Sequence, residues 1–146
     1  MSMELYVISP KRLDTIQEWQ KAINEFQFSI KISEDVDFEK TSGFLPLLLN
    51  GKLSGFECDH WAINDIKESL SFHHIALDPS WKHVLAFRWG GNFDELICAT
   101  QTSIAYAIAT GGLIFDPQEG EIFSNEKSLQ LAKNIEKEVE FLRSLP

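Results

Sequence analysis

The chain has 146 residues, of which 44% are hydrophobic and 24% are charged, and its formal net charge at pH 7 is −9. This length and composition are those of one ordinary globular domain, residues 1–146, and they exclude a disordered or fibrous chain. The acidic balance disfavours nucleic acid and anionic membranes as partners, because phosphate groups are repelled by a negative surface.

The first residues and the cysteines indicate a cytoplasmic protein. Residues 1–14 lack the basic stretch and long apolar run of a secretion signal, and the uncharged segment 96–112 is too short and too polar to span a bilayer. The two cysteines, Cys58 and Cys98, are too few for a disulfide framework. We expect both to be reduced and structural.

The first third of the chain predicts a strand, a helix and a second strand. Residues 3–9 alternate as in a strand, and Ser9 followed by Pro10 is typical of a helix N-cap and first helical residue. Residues 28–32 alternate again, and the polar segment 33–43 is predicted as a surface loop. The helix between the two strands has an apolar stripe at spacings of three and four, formed by Leu13, Ile16, Trp19, Ile23 and Phe26.

The middle of the chain predicts a β-hairpin. Asn50 and Gly51 lie between apolar runs and tolerate the positive φ that a type I′ turn requires. Pro46 cannot donate to a strand ladder, so the first arm is predicted as an edge strand or a bulge. Beyond the hairpin we expect a short helix capped by Asn64, a turn at 78–81 and a central strand over 82–89.

Residues 87–96, FRWGGNFDEL, place paired glycines between a strand and a helix, as phosphate-binding loops do. Asn92 is predicted to cap a helix over 93–109, and Asp94 and Glu95 lie in its first turn, where carboxylates complement the helix dipole. A phosphate would meet these two charges, and the P-loop lysine and the third spaced glycine of a dinucleotide motif are missing. We therefore interpret Gly90 and Gly91 as a tight turn.

The helix that follows carries no charge from residue 96 to residue 110. Such a helix is mostly covered, either by the sheet and other elements of the same chain or by a second subunit. Gly111 is predicted as its left-handed C-cap, residues 113–124 as strand, turn and short strand, and Ser124 as the N-cap of the last helix. The predicted fold is a two-layer α/β domain of the α+β type, with a mixed sheet of five to six strands and three main helices.

Catalytic and metal-binding patterns are incomplete. Cys58 and His60 are spaced to share one face of a strand, but a zinc site needs about four converging ligands, and His73, His74 and His83 do not form the usual second pair. We expect no metal and no cofactor. Asp116 follows a strand, where ligand crevices form, so a small hydrolase or ligand-binding protein using Asp116 and a histidine such as His83 is one alternative. An Asp-Pro turn, in which the Asp116 side chain bonds its own backbone, is the favoured explanation of this residue.

The surplus of acids is local and points to a protein partner. Residues 33–59 carry six acids against two bases, and residues 92–146 carry nine against four. Such a surface attracts a basic protein, and aromatic residues beside it are candidate anchors. A homodimer or other homo-oligomer is the remaining alternative. We predict a non-enzymatic module that binds a basic protein, with a contact surface drawn from Asp35, Asp37, Glu39, Trp61, Trp81, Asp116, Glu119 and Glu121.

The run FRWGG followed by DEL, the uncharged helix and TGGLIFDPQEG, within about residues 84–130, resembles a broad group of small bacterial proteins of unassigned chemistry. Toxin-immunity candidates are found in that group. The resemblance implies a protein that blocks a toxin domain by covering it, and it transfers no catalytic residue. It agrees with the acidic balance of the chain, since nuclease toxins are often basic.

Overall fold

The structure is a computed structural model that describes residues 2–146. Over these residues the chain forms seven strands and four α-helices. The strands are β1 (Met3–Ser9), β2 (Ile30–Ile32), β3 (Phe44–Leu49), β4 (Lys52–Ala62), β5 (His83–Trp89), β6 (Leu113–Asp116) and β7 (Glu121–Phe123). The helices are α1 (Ile16–Glu25), α2 (Lys67–Phe72), α3 (Phe93–Thr110) and α4 (Asn125–Ser144).

All seven strands belong to one sheet, in the order β2-β3-β4-β5-β1-β6-β7. The predicted class is confirmed, but the sheet has one or two more strands than expected and every neighbouring pair is antiparallel rather than mixed. The helical connections explain the difference. The connections through α1 and α3 run from β1 to β2 and from β5 to β6, pairs that are not neighbours in the sheet, whereas the connection through α2 joins the antiparallel neighbours β4 and β5.

Helices α1, α3 and α4 cover one face of the sheet and enclose the main core. The buried side of α1 is carried by Ile16, Trp19 and Ile23, as its predicted stripe required. α3 contacts α1, α4 and four strands, so every residue from 97 to 107 is buried. The covering elements belong to the same chain, which is the simpler of the two explanations for an uncharged helix.

The opposite face of the sheet is covered at one end by α2 and the segment after it. Ile66 and Leu70 pack there on Tyr6, Ala86 and Phe115. The His73 ring follows α2 and lies against the β6–β7 turn, where a Cβ added to Gly120 would come within 2.2 Å of the His73 ring nitrogen Nδ1. Nε2 of His73 lies 3.0 Å from the carbonyl oxygen of Pro117. One side chain thus joins α2 to the far edge of the sheet.

The predicted start of α1 is wrong, and the predicted surface loop after β2 contains one buried residue. α1 begins at Ile16 rather than after Ser9, and its N-cap is Thr15, whose hydroxyl accepts from the Glu18 N–H at 3.1 Å. The predicted loop contains a 3₁₀ turn at Phe38–Lys40, and Phe38 is buried against Trp19. Its packing partners are distant in sequence, so local polarity could not reveal them.

The short helix after β4 also begins differently from the prediction. A 3₁₀ turn, Ile63–Ile66, precedes α2. The Asp65 carboxylate accepts from the Ala62 N–H at 2.7 Å. Asp65, rather than the predicted Asn64, therefore provides the side-chain hydrogen bond at the N-terminal end of this turn.

The Asn-Gly hairpin is confirmed as β3 and β4, and Asn50 and Gly51 have φ values of 51° and 80°. β3 is not an edge strand, because β2 pairs with it. The pairing of β2 with β3 ends at Ile32, opposite Leu47. Pro46, the neighbour of Leu47, takes part only as an acceptor: its carbonyl oxygen accepts from the Ser33 N–H at 3.1 Å. The missing N–H of proline is therefore tolerated at the point where the ladder ends.

The predicted caps of the last two helices are confirmed. The Asn92 side chain accepts from the Asp94 and Glu95 N–H groups, and Gly111 ends α3 with a φ of 70°. The Ser124 hydroxyl accepts from the Lys127 N–H at the start of α4.

Among residues 2–146, no helix combines the length and apolar character needed to cross a bilayer.

Candidate functional site

The outer face of the β3–β4 hairpin carries exposed apolar side chains. Side chains alternate across a strand, so Leu45, Leu47 and Leu49 enter the core while the residues between them face outward. Phe44 is 59% exposed and Leu53 is 87% exposed, and no helix within residues 2–146 packs over them. We call the outward side chains of Phe44, Pro46, Leu48 and Leu53 the hairpin face.

The strand register holds these four side chains close together. Leu48 lies opposite Leu53, and Pro46 lies opposite Gly55. A Cβ added to Gly55 would come within 2.6 Å of the Phe44 ring, which therefore covers the glycine. The result is one continuous apolar surface rather than scattered exposed residues.

A groove of about 390 Å³ runs along the edge of the hairpin face. Pro46, Leu48 and Leu53 line it together with two carboxylates, Glu34 and Asp35. Lys31, which lies opposite Leu48 in the neighbouring strand, completes the charged lining and leaves one net negative charge.

The acidic segment 34–39, which follows β2, adds four carboxylates: Glu34, Asp35, Asp37 and Glu39. All four are exposed, and none forms an ion pair with any residue from 2 to 146. Their charge therefore acts outward on whatever approaches this end of the sheet.

At the other end of the hairpin face the charges are paired. Arg88 lies between Glu4 and Glu57, with N···O distances of 3.6 Å and 3.7 Å. These three side chains and Phe44 form a row across four strands. The hairpin face is thus bordered on one side by the exposed carboxylates of segment 34–39 and on the other by the ion pairs of Arg88 with Glu4 and Glu57.

The predicted contact residues fall into separate groups. Asp35, Asp37 and Glu39 follow β2 at one edge of the sheet, and Asp116, Glu119 and Glu121 surround the β6–β7 turn at the other. Six strand spacings separate the two edges, about 29 Å at the usual strand separation. The two groups therefore lie at opposite edges of the sheet rather than in one cluster.

Two of the three carboxylates in the second acidic group, those of Asp116 and Glu121, are engaged within the chain. One Asp116 carboxylate oxygen accepts from the Gln118 and Glu119 N–H groups, as expected for an Asp-Pro turn. Glu121 forms an ion pair with Lys127. The β2 end of the sheet therefore offers more of its charge to a partner.

The two candidate tryptophans help to form the second core. Trp61 lies in β4 rather than in a connection, and its ring is 5.3 Å from that of Tyr6. Trp81 packs on the same cluster, and both rings are half-buried. Trp61 lies away from the hairpin face, beyond Asp59 along β4, and Trp81 precedes β5 at the same end of the sheet.

Asp116 and His83 lie at opposite ends of the sheet. His83 pairs with Ser9 at the end of β1, whereas Asp116 follows Phe115, which pairs with Tyr6. Asp116 therefore lies level with Leu5 of β1, four residues away from Ser9. Four residues along a strand span about 13 Å, and the width of β1 between β5 and β6 adds to this separation. The pair that the hydrolase alternative named is therefore not brought together.

The other titratable candidates are held in the interior or by backbone groups. Burial raises the pKa of Cys98 to about 11 and raises that of Cys58, as expected for structural thiols. Nε2 of His60 lies 2.8 Å from the Phe38 carbonyl oxygen, and His74 has a left-handed backbone with a φ of 59°. No group of three or more His, Cys, Asp or Glu side chains within residues 2–146 could hold a metal ion.

The Gly90–Gly91 turn is occupied by the chain's own carboxylate. The Glu95 side chain accepts from the Gly90 N–H at 3.2 Å, and the Asn92 side chain accepts from the Asp94 and Glu95 N–H groups. These are the donors that a phosphate would use.

Sequence reasoning missed the hairpin face itself. The run FLPLLLNGKL has apolar residues at both odd and even positions, and this pattern is typical of a strand covered on both sides. It is equally compatible with a strand that leaves one apolar face exposed, which is what the structure has.

No protein-family model matches the chain, and no curated protein and no solved structure is significantly similar to it.

Proposed function

We propose that this chain is a non-enzymatic protein-binding module that takes a basic protein partner on the hairpin face. The single observation that supports this most directly is the continuous apolar surface of Phe44, Pro46, Leu48 and Leu53 on an otherwise acidic molecule. An exposed apolar patch bordered by charge is the usual anatomy of a contact surface.

The charge around the hairpin face selects the kind of partner. The acidic segment 34–39 lies beside it with four carboxylates exposed, and the whole chain carries a net charge of −9. Opposite charge accelerates encounter and disfavours acidic competitors, while the apolar centre supplies most of the binding free energy.

A partner of this kind fits an immunity-type protein, which neutralises a basic toxin domain by covering it. The resemblance of residues 84–130 to a group that contains immunity candidates motivates this more specific form. Covering requires an accessible rigid surface, and a hairpin fixed within a seven-stranded sheet provides one.

Co-purification with the products of neighbouring genes tests the proposal. The tagged chain should retain one basic protein, and the complex should form faster at about 0.1 M than at about 1 M salt, where the Debye length falls from about 10 Å to about 3 Å. The double variant Phe44→Ser, Leu53→Ser should lose the partner while keeping its own melting temperature.

A matched control is available at the C-terminal end of α4 and the residue that caps it. Phe141 and Leu145 are 63% and 52% exposed, so Phe141→Ser, Leu145→Ser makes the same chemical change on another surface. This variant should bind like the original chain. Equal loss of binding in both variants, or a partner that is acidic, would contradict the proposal.

A further inference from the structure

We infer that the groove beside the hairpin face is a binding site for an arginine side chain of the partner, presented next to an aliphatic residue. This inference rests on the proposed function and names the chemistry by which that surface recognises its partner. The geometry of the groove and the closure of the neighbouring sheet edge support it separately.

The groove combines an apolar floor with charge at its border. Pro46, Leu48 and Leu53 supply its apolar lining, which we call the floor, and Glu34 and Asp35 line the same groove with carboxylates. An arginine is the side chain that matches both, because its aliphatic stem packs on apolar surface while its guanidinium pairs with carboxylates. The volume of about 390 Å³ lies within the usual range for small binding pockets.

Arginine fits better than lysine for two physical reasons. The guanidinium is planar and donates two parallel hydrogen bonds to a carboxylate, which a lysine ammonium does not. It is also more weakly hydrated, so it loses less when it leaves water to lie on Pro46 and Leu48.

Lys31 opposes a bound cation and makes the site selective. Its side chain lines the same groove, so it reduces the attraction that Glu34 and Asp35 exert on a single point charge. Contact with the apolar floor then becomes necessary for binding. Removal of the Lys31 charge should therefore strengthen binding of any basic side chain.

The backbone of β2 cannot compete for the partner by strand addition. The Gln20 amide donates to the Ile30 carbonyl oxygen at 2.7 Å and accepts from the Ile32 N–H at 2.8 Å. These two groups face away from β3, since Ser29 and Ser33 make the bonds to the β3 side. A partner that reaches this corner must therefore use side chains in the groove rather than a paired strand.

A nuclear magnetic resonance titration of the full chain tests the inference with three short peptides of equal length and leucine content. They carry arginine, lysine or glutamine at the same positions. The arginine peptide should shift the amide signals of Lys31, Asp35, Leu48 and Leu53. The lysine peptide should bind there about fivefold more weakly, and the glutamine peptide should leave these signals unchanged.

Charge variants refine the test. Glu34→Gln with Asp35→Asn should weaken the arginine peptide about two- to fivefold, whereas Lys31→Gln should tighten it. Glu119→Gln with Glu126→Gln removes the same charge at the other end of the sheet and should have little effect.

Two outcomes would overturn the inference and leave the proposed function standing. One is equal binding of the arginine and lysine peptides. The other is a basic partner that binds the hairpin face while the arginine peptide shifts no signal in the groove. A partner bound equally by the original chain and by Phe44→Ser, Leu53→Ser would instead contradict the proposed function.

Discussion

Gly55 shows how closely the residues under the hairpin face are packed. A Cβ at this position would lie 2.3 Å from the backbone oxygen of Leu45 and 2.6 Å from the Phe44 ring. The backbone oxygen cannot shift without disturbing the β3–β4 pairing, whereas the exposed Phe44 ring can turn away. The glycine therefore allows the close approach of β3 and β4 at this position.

Gly55→Ala should lower the free energy of unfolding by about 1–3 kcal/mol, the usual consequence of forcing atoms into a packed site. Urea denaturation measures this change directly. Gly91→Ala is the matched control, because a Cβ at Gly91 would meet nothing within 4 Å. Equal stability of the two variants would show that the hairpin accommodates a methyl group at position 55 without strain.

His60 should make the stability depend on pH in the weakly acidic range. Burial lowers the pKa of His60 below its ordinary value of 6.5, and Arg12 and His83 nearby lower it further, against the opposing effect of the Phe38 carbonyl. The folded chain therefore binds the proton less readily than the unfolded chain does. The stability that this difference provides is present above pH 6.5 and is lost as the pH falls below it.

Urea denaturation at about pH 8 and about pH 5, on either side of the histidine range, should show this loss, and His60→Gln should reduce it. Some dependence should remain in the variant, because burial also lowers the pKa of His83. A loss of the same size in both proteins would assign the pH dependence to other groups.

At the residue scale, the sequence predicted features that depend on near neighbours. Asn92, Gly111 and Ser124 were identifiable as caps because a cap acts within its own turn. Thr15 and Phe38 were missed. The choice between Ser9 and Thr15 depends on how far the chain must travel before α1 reaches the sheet, and Phe38 is buried by residues distant in sequence.

At the scale of single elements, Gln20 protects the edge strand β2. Its amide satisfies one acceptor and one donor of the strand, at Ile30 and Ile32, that would otherwise face solvent. Exposed strand edges are templates for association with other chains. A helix side chain here takes the place of a neighbouring strand.

Gln20→Ala should lower the free energy of unfolding by about 1–3 kcal/mol, as expected for two hydrogen bonds. It should also promote self-association at high protein concentration. Denaturation and light scattering measure the two effects. Gln17→Ala alters an exposed glutamine of the same helix and should change neither, whereas association in both variants would show that the amide is not what protects the edge.

The hairpin, α3 and α4 were predictable because each has a strong local signal. β2 was predicted from the alternation of residues 28–32, but its length of three residues and its place at the edge of the sheet could not be inferred. The order of the strands depends on which faces the helices cover, and that is decided by contacts between distant parts of the chain.

At the scale of the whole molecule, charge argues against self-association through the hairpin face. Two copies would each present a negatively charged surface to the other, because each carries a net charge of −9. Pairing with a basic protein has no such penalty. The distribution of charge thus distinguishes the two uses of one apolar surface.

We expect the chain to be monomeric by light scattering at low salt and high concentration. If the chain forms a dimer and Leu53→Ser dissociates it, the hairpin face is the interface of a homo-oligomer, which is the alternative that the sequence left open. The charge total needed for this prediction was available from the sequence, but the location of the apolar surface was not.

His73 links two segments that are 44 residues apart in the chain, α2 and the turn at Pro117. Neither segment can separate from the sheet while that ring stays in place over Gly120. Backbone amides in the two segments should therefore exchange their hydrogens with solvent in one cooperative opening, independent of the hairpin. A single imidazole would then define the boundary of the smallest unit that unfolds together at this end of the protein.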